Sequence, residues 1–421
     1  LLCGRFGIAL GRRCLHLGET RIAHNLVLLA NLAGVQALGA ALPGSSFSIE
    51  GNVLQLQGDG IVAAVDGLRV LDNEVRGLND KAAGSGVVLE AGLDPRGIGH
   101  CWITGNRIAD LRQGAGIEVR APLGSAMIKQ NMIERTRQGI VFVDAGAAEH
   151  LSIANNHLLQ IALGFKPTAG SLAAIQLLET RHADVVGNVI SGFAANAQLA
   201  SDLVAVRVVG GGDIRISGNH LSDLGPLQTY TGYVAGIELV TPFALANLAD
   251  NIITRAAQGE IADSNWLGIR IAPPNAKGVT RYVGALLLRA EKNADFLLTR
   301  KRLRAKTPQP ANGVVMRGNQ IMARRIVERL VSVEGTRTTL FADNHCEAEP
   351  AGQPRAPVVE ISGGAVVVSQ NWVRWTTTDF PAINIANTKV FTVMGNITMG
   401  AIRIDGGALP TPWAPLNIPA A

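Results

Sequence analysis

Residues 101–108 read CWITGNRI, residues 126–133 AMIKQNMI and residues 151–158 LSIANNHL. Each is an apolar–any–apolar run, then two small or polar residues, then Asn, any residue and an apolar one. The same pattern recurs as TRIAHNLV, FSIEGNVL, LRVLDNEV, ADVVGNVI, IRISGNHL, ANLADNII, VVMRGNQI, TLFADNHC, VVVSQNWV and FTVMGNIT. The marker residues are Asn25, Asn52, Asn73, Asn106, Asn131, Asn156, Asn188, Asn219, Asn251, Asn319, Asn344, Asn371 and Asn396. Their spacings run from 21 to 33 residues apart from one of 68, and without that one they average near 27.5. Thirteen copies define a repeat protein.

Between successive asparagines lies a second alternating run, usually opened by Gly or Ala: GIVAAV, GIEVR, GIVFV, GIELV, GIRIA. Each repeat therefore holds at least two short strands of period two. Strands of one type return only after a whole repeat, so a hairpin meander does not fit. Stacking each repeat as one coil, like strand on like strand, turns the inward Ile, Val and Leu into a continuous core. The expectation is an all-β parallel solenoid of about 13 to 14 coils. At the corner the chain needs a left-handed residue, and the asparagine, often preceded by Gly, is the one expected to take it. Coils stacked at about 4.8 Å would also let the amides hydrogen-bond from coil to coil. These asparagines are read as scaffold.

The GI-type run followed by apolar-any-any-GN resembles the right-handed parallel β-helix proteins of the pectin-lyase-like superfamily, over residues 5 to 405. The resemblance implies a right-handed single-stranded β-helix. It implies little about activity, because that superfamily holds polysaccharide lyases and hydrolases, phage tailspikes, adhesins and coils without chemistry.

The 68-residue gap is where the repeat breaks. Residues 273–312 carry nine basic residues against two acidic, a net +7. The whole chain carries +5, so the remainder stands at −2. The protein is not basic; its insertion is. Prolines bracket it, as an excursion from a scaffold requires, and its apolar runs ALLLRA and FLLTRKRL favour a hairpin. It is expected to be either a solvated decoration or a docking element for a polyanion such as an acidic polysaccharide, or for an acidic protein surface. Nucleic acid is not expected, because aromatic residues for base stacking are nearly absent from it. Residues 1–409 read as the β-helix and 410–421 as a Pro-rich tail, linker or strap over the last coil, with Trp413 as its lid.

Hydrophobic residues make up 47% of the 421, enough for a large core, yet no apolar run approaches the length of a membrane span. The opening LLCGRFGIALG is already repeat-like, so the chain reads as a portion of something longer. Four cysteines without metal spacing are no disulfide framework; Cys101 and Cys346 fall at inward strand positions.

Aligning the GI-type strands gives one outward residue per coil: Ala9, Gln36, Val62, Val88, Glu118, Val141, Gln176, Arg207, Glu238 and Arg270, then Ser332, Glu360, Asn384 and Arg403. Gln176, Arg207, Glu238 and Arg270 occupy consecutive coils and are the candidate ligand-binding stripe. Its plainer reading is a ladder of exposed ion pairs, each under about 1 kcal/mol. Glu118 with Arg120, and Glu238 between cations, are the candidate catalytic groups. A lyase would need a base beside a neutralised uronate, and only then calcium; a hydrolase would need two carboxylates. The clustered acidic motifs of the superfamily's enzymes are absent. His150, His182 and Asp213 share one repeat position, but a vertical column does not converge on a metal, and no metal site or cofactor is expected. The leading expectation is a rigid scaffold or binding module of a secreted, cell-surface or tail-like assembly, with polysaccharide as a candidate contact and further oligomerisation open. The alternative is a lyase or glycoside hydrolase acting on an acidic glycan.

Overall fold

The computed structural model describes the chain apart from residues 1–3, 13, 15–17, 41–43, 81, 93–96, 144–145, 163–170, 198–201, 227–231, 256–264, 275–311, 327–328, 351–355, 376–379 and 420–421. The chain is a parallel β-helix. It divides into two compact units, one formed by 1–165 with 173–189, the other by 166–172, 190–283 and 307–421. The basic segment lies outside the described residues save for Pro273, Pro274 and Asn312.

Among the described residues most coils carry three strands, one more than the two distinct runs in the sequence. In Leu172–Val186, Leu203–Ser217, Val331–Ala342 and Val359–Ser369 the first two run together as one. The GI-type run is the first strand, the run before the asparagine the second, and the residues after it the third. In the first unit the first row includes Ala33–Ala37, Asp59–Ala63, Val87–Leu89, Ala115–Val119 and Gln138–Phe142. These pair in parallel, and their inward residues Val35, Ile61, Val87, Ile117, Ile140 and Ile175 stack in one fully buried column. The second row stacks Ile49, Val70, Ile103, Ile128, Ile153 and Val185. The third stacks Val27, Leu54, Val75, Ile108, Ile133 and Leu158. Three columns of branched side chains thus line the interior, each residue contributing about 1.5–3 kcal/mol of burial.

The opening glycine of the first strand has a steric cause. A Cβ on Gly236 would sit 2.6 Å from Ile253 Cγ2 and 2.6 Å from the Gly268 carbonyl of the next coil. Such spacings are not tolerated, so the first strand can approach the third only where it has no side chain.

At the corner the structure corrects the reading of the asparagine. None of the thirteen has positive φ; the residue before it does, at φ between 53° and 72° in every repeat. That residue is Gly in some coils and His24, Asp72, Gln130, Asn155, Asp250, Asp343 or Gln370 in others. The small-polar and glycine types tolerate this region best. Turning the chain one residue earlier leaves the asparagine itself free to aim its amide along the stack.

The ladder follows from that. The Asn131 Oδ1 accepts both the backbone N–H of Asn106, at 3.0 Å, and its side-chain N–H, at 2.9 Å. The second side-chain N–H of Asn106 goes to the Val70 carbonyl at 2.9 Å. The same set of bonds repeats from Asn25 to Asn188 in the first unit. In the second unit it runs from Asn219 onwards, and Asn251 donates to Asn319 at 2.9 Å across the 68-residue gap. The return from the insertion is fixed by Asn312, whose N–H reaches the Phe243 carbonyl at 3.0 Å while its Oδ1 accepts from Phe243 N at 3.1 Å.

A further rung was missed in the sequence. Asn417, inside the Pro-rich stretch, accepts from Asn396 at 2.8 and 3.1 Å. Its own amide donates to Trp413 O at 2.8 Å and Val393 O at 3.1 Å, which ends the ladder on main-chain carbonyls. Ile418–Pro419 pairs in parallel with Ile397–Met399, and the short antiparallel strand Gly407–Ala408 closes the first row at Ile402–Ile404. The stretch thus pairs with the coil before it, and the Trp413 ring lies 6.4 Å from the Phe391 ring.

Replacing Asn156 by Leu should cost roughly 3 kcal/mol, because it strands the two N–H donors of Asn131 and the Ile128 carbonyl in a dry corner. Urea unfolding of the purified variant measures it. An unchanged midpoint would show that the amide stack carries no stability.

Candidate functional site

The outward positions of the first row align as the sequence proposes. In the first unit Ala9, Gln36, Val62, Val88, Glu118, Val141 and Gln176 are successive partners. In the second unit Arg207, Glu238, Arg270, Ser332, Glu360, Asn384 and Arg403 are. Their exposure differs from the expectation. Gln176, Arg207 and Glu238 are buried, Glu238 to 1% exposure, and Arg270 nearly so. The strands Leu203–Ser217 and Tyr233–Val240 are covered on both faces over their first halves. A stripe of exposed ion pairs is therefore corrected to a buried one.

Glu238 is its centre. Its Oε2 accepts from Arg207 Nε at 2.6 Å, and its Oε1 from Arg270 Nη1 at 3.2 Å and the Tyr233 hydroxyl at 3.1 Å. Arg207 also donates to Ser171 Oγ, which in turn donates to the Asp202 carbonyl at 2.8 Å. The Arg270 guanidinium lies 4.7 Å from the centre of the Tyr233 ring. Burial, then the Glu238 charge, holds the Tyr233 phenol well above its ordinary value, so it stays a neutral donor. Burial also raises the Asp202 carboxyl, against the pull of Arg207. Two cations face two carboxyl groups. Both oxygens of Glu238 are occupied by donors, so it is poorly placed to take a proton from a substrate. Ser171, Asp202 and Tyr233 could not be found from the repeat, because they lie at strand starts and in the segments between strands.

Glu118 and Arg120 form a different cluster in the first unit. Arg120 Nε donates to Glu118 Oε1 at 2.8 Å and its Nη1 to Glu90 Oε1 at 2.7 Å. The other Glu118 oxygen accepts from Ser85 Oγ at 2.6 Å, and the Ser85 N–H donates to Asp59 Oδ1 at 2.7 Å. Glu90, Glu118 and Arg120 are part-exposed. Burial raises the Asp59 carboxyl, partly offset by the Ser85 N–H and by Arg120. The cluster thus joins a carboxyl biased toward its neutral form to two carboxylates sharing one guanidinium. Asp59 opens its strand and reads in the sequence as a turn residue, which hid it.

The second row carries a part-exposed aromatic residue, Trp102. Arg69, Trp102, Met127, Ser152 and Asp184 are successive outward partners, with the Arg69 guanidinium 5.5 Å from the Trp102 ring. Beside them run His100, Ser125, His150 and His182, the last two stacked at 4.9 Å with planes 7° apart. Asp213 belongs to the second unit, where it pairs with Leu245. Among the described residues no group of three or more His, Cys, Asp or Glu could hold a metal. Cys101 and Cys346 are buried in the inward columns, and burial pushes both thiols up to about 12. They are packing residues.

No helix among the described residues is long and apolar enough to cross a membrane. No protein-family profile matches the chain, and no curated protein matches it.

Two outcomes follow from the clusters. Glu238→Ala should destabilise the fold by about 3–5 kcal/mol, since Arg207 and Arg270 would be left buried without their carboxylate; calorimetry at neutral pH checks this. For Asp59 the folded carboxyl is raised, so its contribution is fully present below the unfolded value and is lost as pH rises through the folded one. The stability of Asp59→Asn relative to the native chain should therefore rise as pH increases from about 4, the ordinary aspartate value. A difference that does not vary with pH would show that this carboxyl is not raised in the folded chain.

Proposed function

We propose that the chain is a rigid β-helical scaffold and binding module of the pectin-lyase-like type, serving a secreted, cell-surface or tail-like assembly and contacting polysaccharide. The observation that carries this reading is the saturation of Glu238, the acid best placed in the stripe, by Arg207, Arg270 and Tyr233 inside a covered face. A face whose polar groups are spent on one another serves cohesion rather than turnover. Contact with a glycan then falls to the second row, where Trp102 offers a ring for a pyranose face and Arg69, His100, Ser125 and Asp184 offer donors and acceptors around it. The basic segment 273–312 supplies the positive field that an acidic glycan or an acidic protein surface would meet.

A second reading, cleavage of an acidic glycan by a lyase or hydrolase, is favoured by one observation: the raised carboxyl of Asp59 beside Glu118 and Arg120. Acid-assisted glycoside cleavage uses a pair of carboxyl groups in unlike surroundings, and here burial raises Asp59 while Glu118 is part-exposed and bound to Arg120.

Affinity electrophoresis against neutral and acidic polysaccharides, with reducing-sugar and unsaturated-uronate release measured on the same panel, separates the two. The scaffold reading expects retention without release, a roughly tenfold loss of retention in Trp102→Ala, and a weaker salt dependence once 273–312 is deleted. Release abolished by Asp59→Asn would instead establish the second reading. Unchanged retention in both variants would sink the first.

A further inference from the structure

The second row of the first unit carries a column of histidines whose protonation reverses the sign of the charge around it. His100, Ser125, His150 and His182 are successive partners on four coils. His100 and His150 are exposed and His182 is part-exposed. The His150 and His182 rings lie near-parallel at 4.9 Å, and the His100 ring lies 6.3 Å from that of Trp102. The strands of the column and their neighbour Leu68–Leu71 hold three permanent cations, Arg69, Lys129 and Arg181, and three acids, Glu149, Glu179 and Asp184. Asp66 adds a fourth acid, since its carboxylate accepts the His100 N–H at 2.8 Å. Glu90 and Arg120, between the first and second strands, pair at 2.7 Å and cancel. Asp213 and Arg215, which hold the repeat positions of His182 and Asp184 one coil on in the second unit, also sum to zero. Three cations against four acids leave −1 while the three imidazoles are neutral, and +2 once all three are protonated. An imidazole ordinarily takes its proton near about pH 6.5, so mild acid makes that change.

Given the polysaccharide contact proposed for this face, on which the inference rests, we infer that the column gates it by charge: in mildly acidic solution the face takes an anionic polysaccharide, and at neutral pH it lets go. Two imidazolium rings at the spacing of His150 and His182 repel, and a carboxylate or sulfate laid against them offsets that repulsion. Anion binding and protonation therefore favour one another, and by the same factor. Two of the acids beside the column are already engaged. Glu149 accepts from Arg181 at 3.2 Å, and Asp66 accepts from the backbone N–H groups of Gly67 and His100 at 2.9 and 2.8 Å. An anionic chain lying along the row meets imidazole at three of four successive coils and the Ser125 hydroxyl at the other. A bound anion raises the imidazoles, so the added affinity is fully present below their free value and is lost as pH rises through the bound one. A rise of one pH unit on a single ring is worth about tenfold in affinity. The basic segment 273–312 attracts the same polymers but contains no histidine, so its pull stays constant over this range.

The test is affinity electrophoresis of the full chain in dextran sulfate and in dextran, its uncharged counterpart, between about pH 5.5 and about pH 7.5 at fixed ionic strength. The expected result is an affinity for dextran sulfate that rises about tenfold toward the acid end, with any affinity for dextran constant. Calorimetry of dextran sulfate binding in two buffers of different ionisation enthalpy should show protons taken up on binding near about pH 6.5. His150→Gln with His182→Gln should cut the pH dependence to below about threefold. His157→Gln with His220→Gln, two exposed positions of the third row, should leave it unchanged. Circular dichroism melts show whether the first pair keeps its fold; should it not, His150→Gln alone, at an exposed position, must reduce the pH dependence at least by half. An affinity constant with pH, a pH dependence that survives these variants, or binding without proton uptake would each overturn the gate. The polysaccharide contact would then still stand or fall by Trp102→Ala at a single pH. A chain that holds neither polymer at any pH also overturns the gate, and the wider polysaccharide panel decides separately whether the contact exists.

Discussion

One side-chain oxygen accepting two N–H groups from the asparagine of the preceding coil sets the register of everything else. The Oδ1 of Asn73 binds the backbone and side-chain N–H of Asn52, and the pattern repeats down each unit. Because the bond is made at the corner, it fixes the second and third strands of a coil together, and the inward Ile and Val columns align as a consequence. The rest of the coil needs only to arrive there. That is why repeats of 21 and of 33 residues coexist, and why a 68-residue repeat leaves Asn251 and Asn319 bonded like any other pair. Loop closure grows only slowly more costly with length, so excursions are cheap wherever the corner is kept.

The outward position of the first row shows what is not fixed by stacking. Val62, Val88 and Val141 fill it in the first unit and are buried there. An apolar residue is therefore compatible with the site, and burying charges carries a desolvation cost that valine avoids. The second unit nonetheless places Arg207, Glu238 and Arg270 in that row, with Tyr233 and Ser171 recruited to satisfy them. What the ionic version adds is directionality: each guanidinium has one carboxylate to find, which excludes slipped stacking in a way that methyl groups do not.

Most of the architecture was legible because repetition averages out local ambiguity. The asparagines, the GI-type strands and even the coil-by-coil alignment of the outward residues could be read directly. The third strand was hidden because the left-handed residue that separates it from the second is written with Gly, Asp, Gln, His or Asn, so no single letter marks the break. Asn417 was hidden because a 3-10 turn at Ala414–Leu416 stands where its preceding strand would be. The burial of Gln176, Arg207 and Glu238 was illegible for a deeper reason. Alternation within a strand tells which way a side chain points, but not what lies over it. Ser171 and Asp202, which face Arg207, sit in segments that do not repeat.

The same distinction bears on where chemistry could reside. Glu238, the carboxylate at the centre of the ladder, already has three donors and so has no further affinity to express. The first unit's cluster is built differently. Arg120 is divided between Glu90 and Glu118, Ser85 links Glu118 to Asp59 through its hydroxyl and its N–H, and Asp59 is the one carboxyl there whose burial outweighs its hydrogen bond. A carboxyl raised by burial and set beside a guanidinium shared by two others is better placed for proton transfer than a saturated ion pair. Both clusters hold a carboxyl raised by burial, Asp59 in one and Asp202 in the other, but the ionic group beside Asp59 is part-exposed whereas Arg207 and Glu238 are buried, so a substrate could reach only the former.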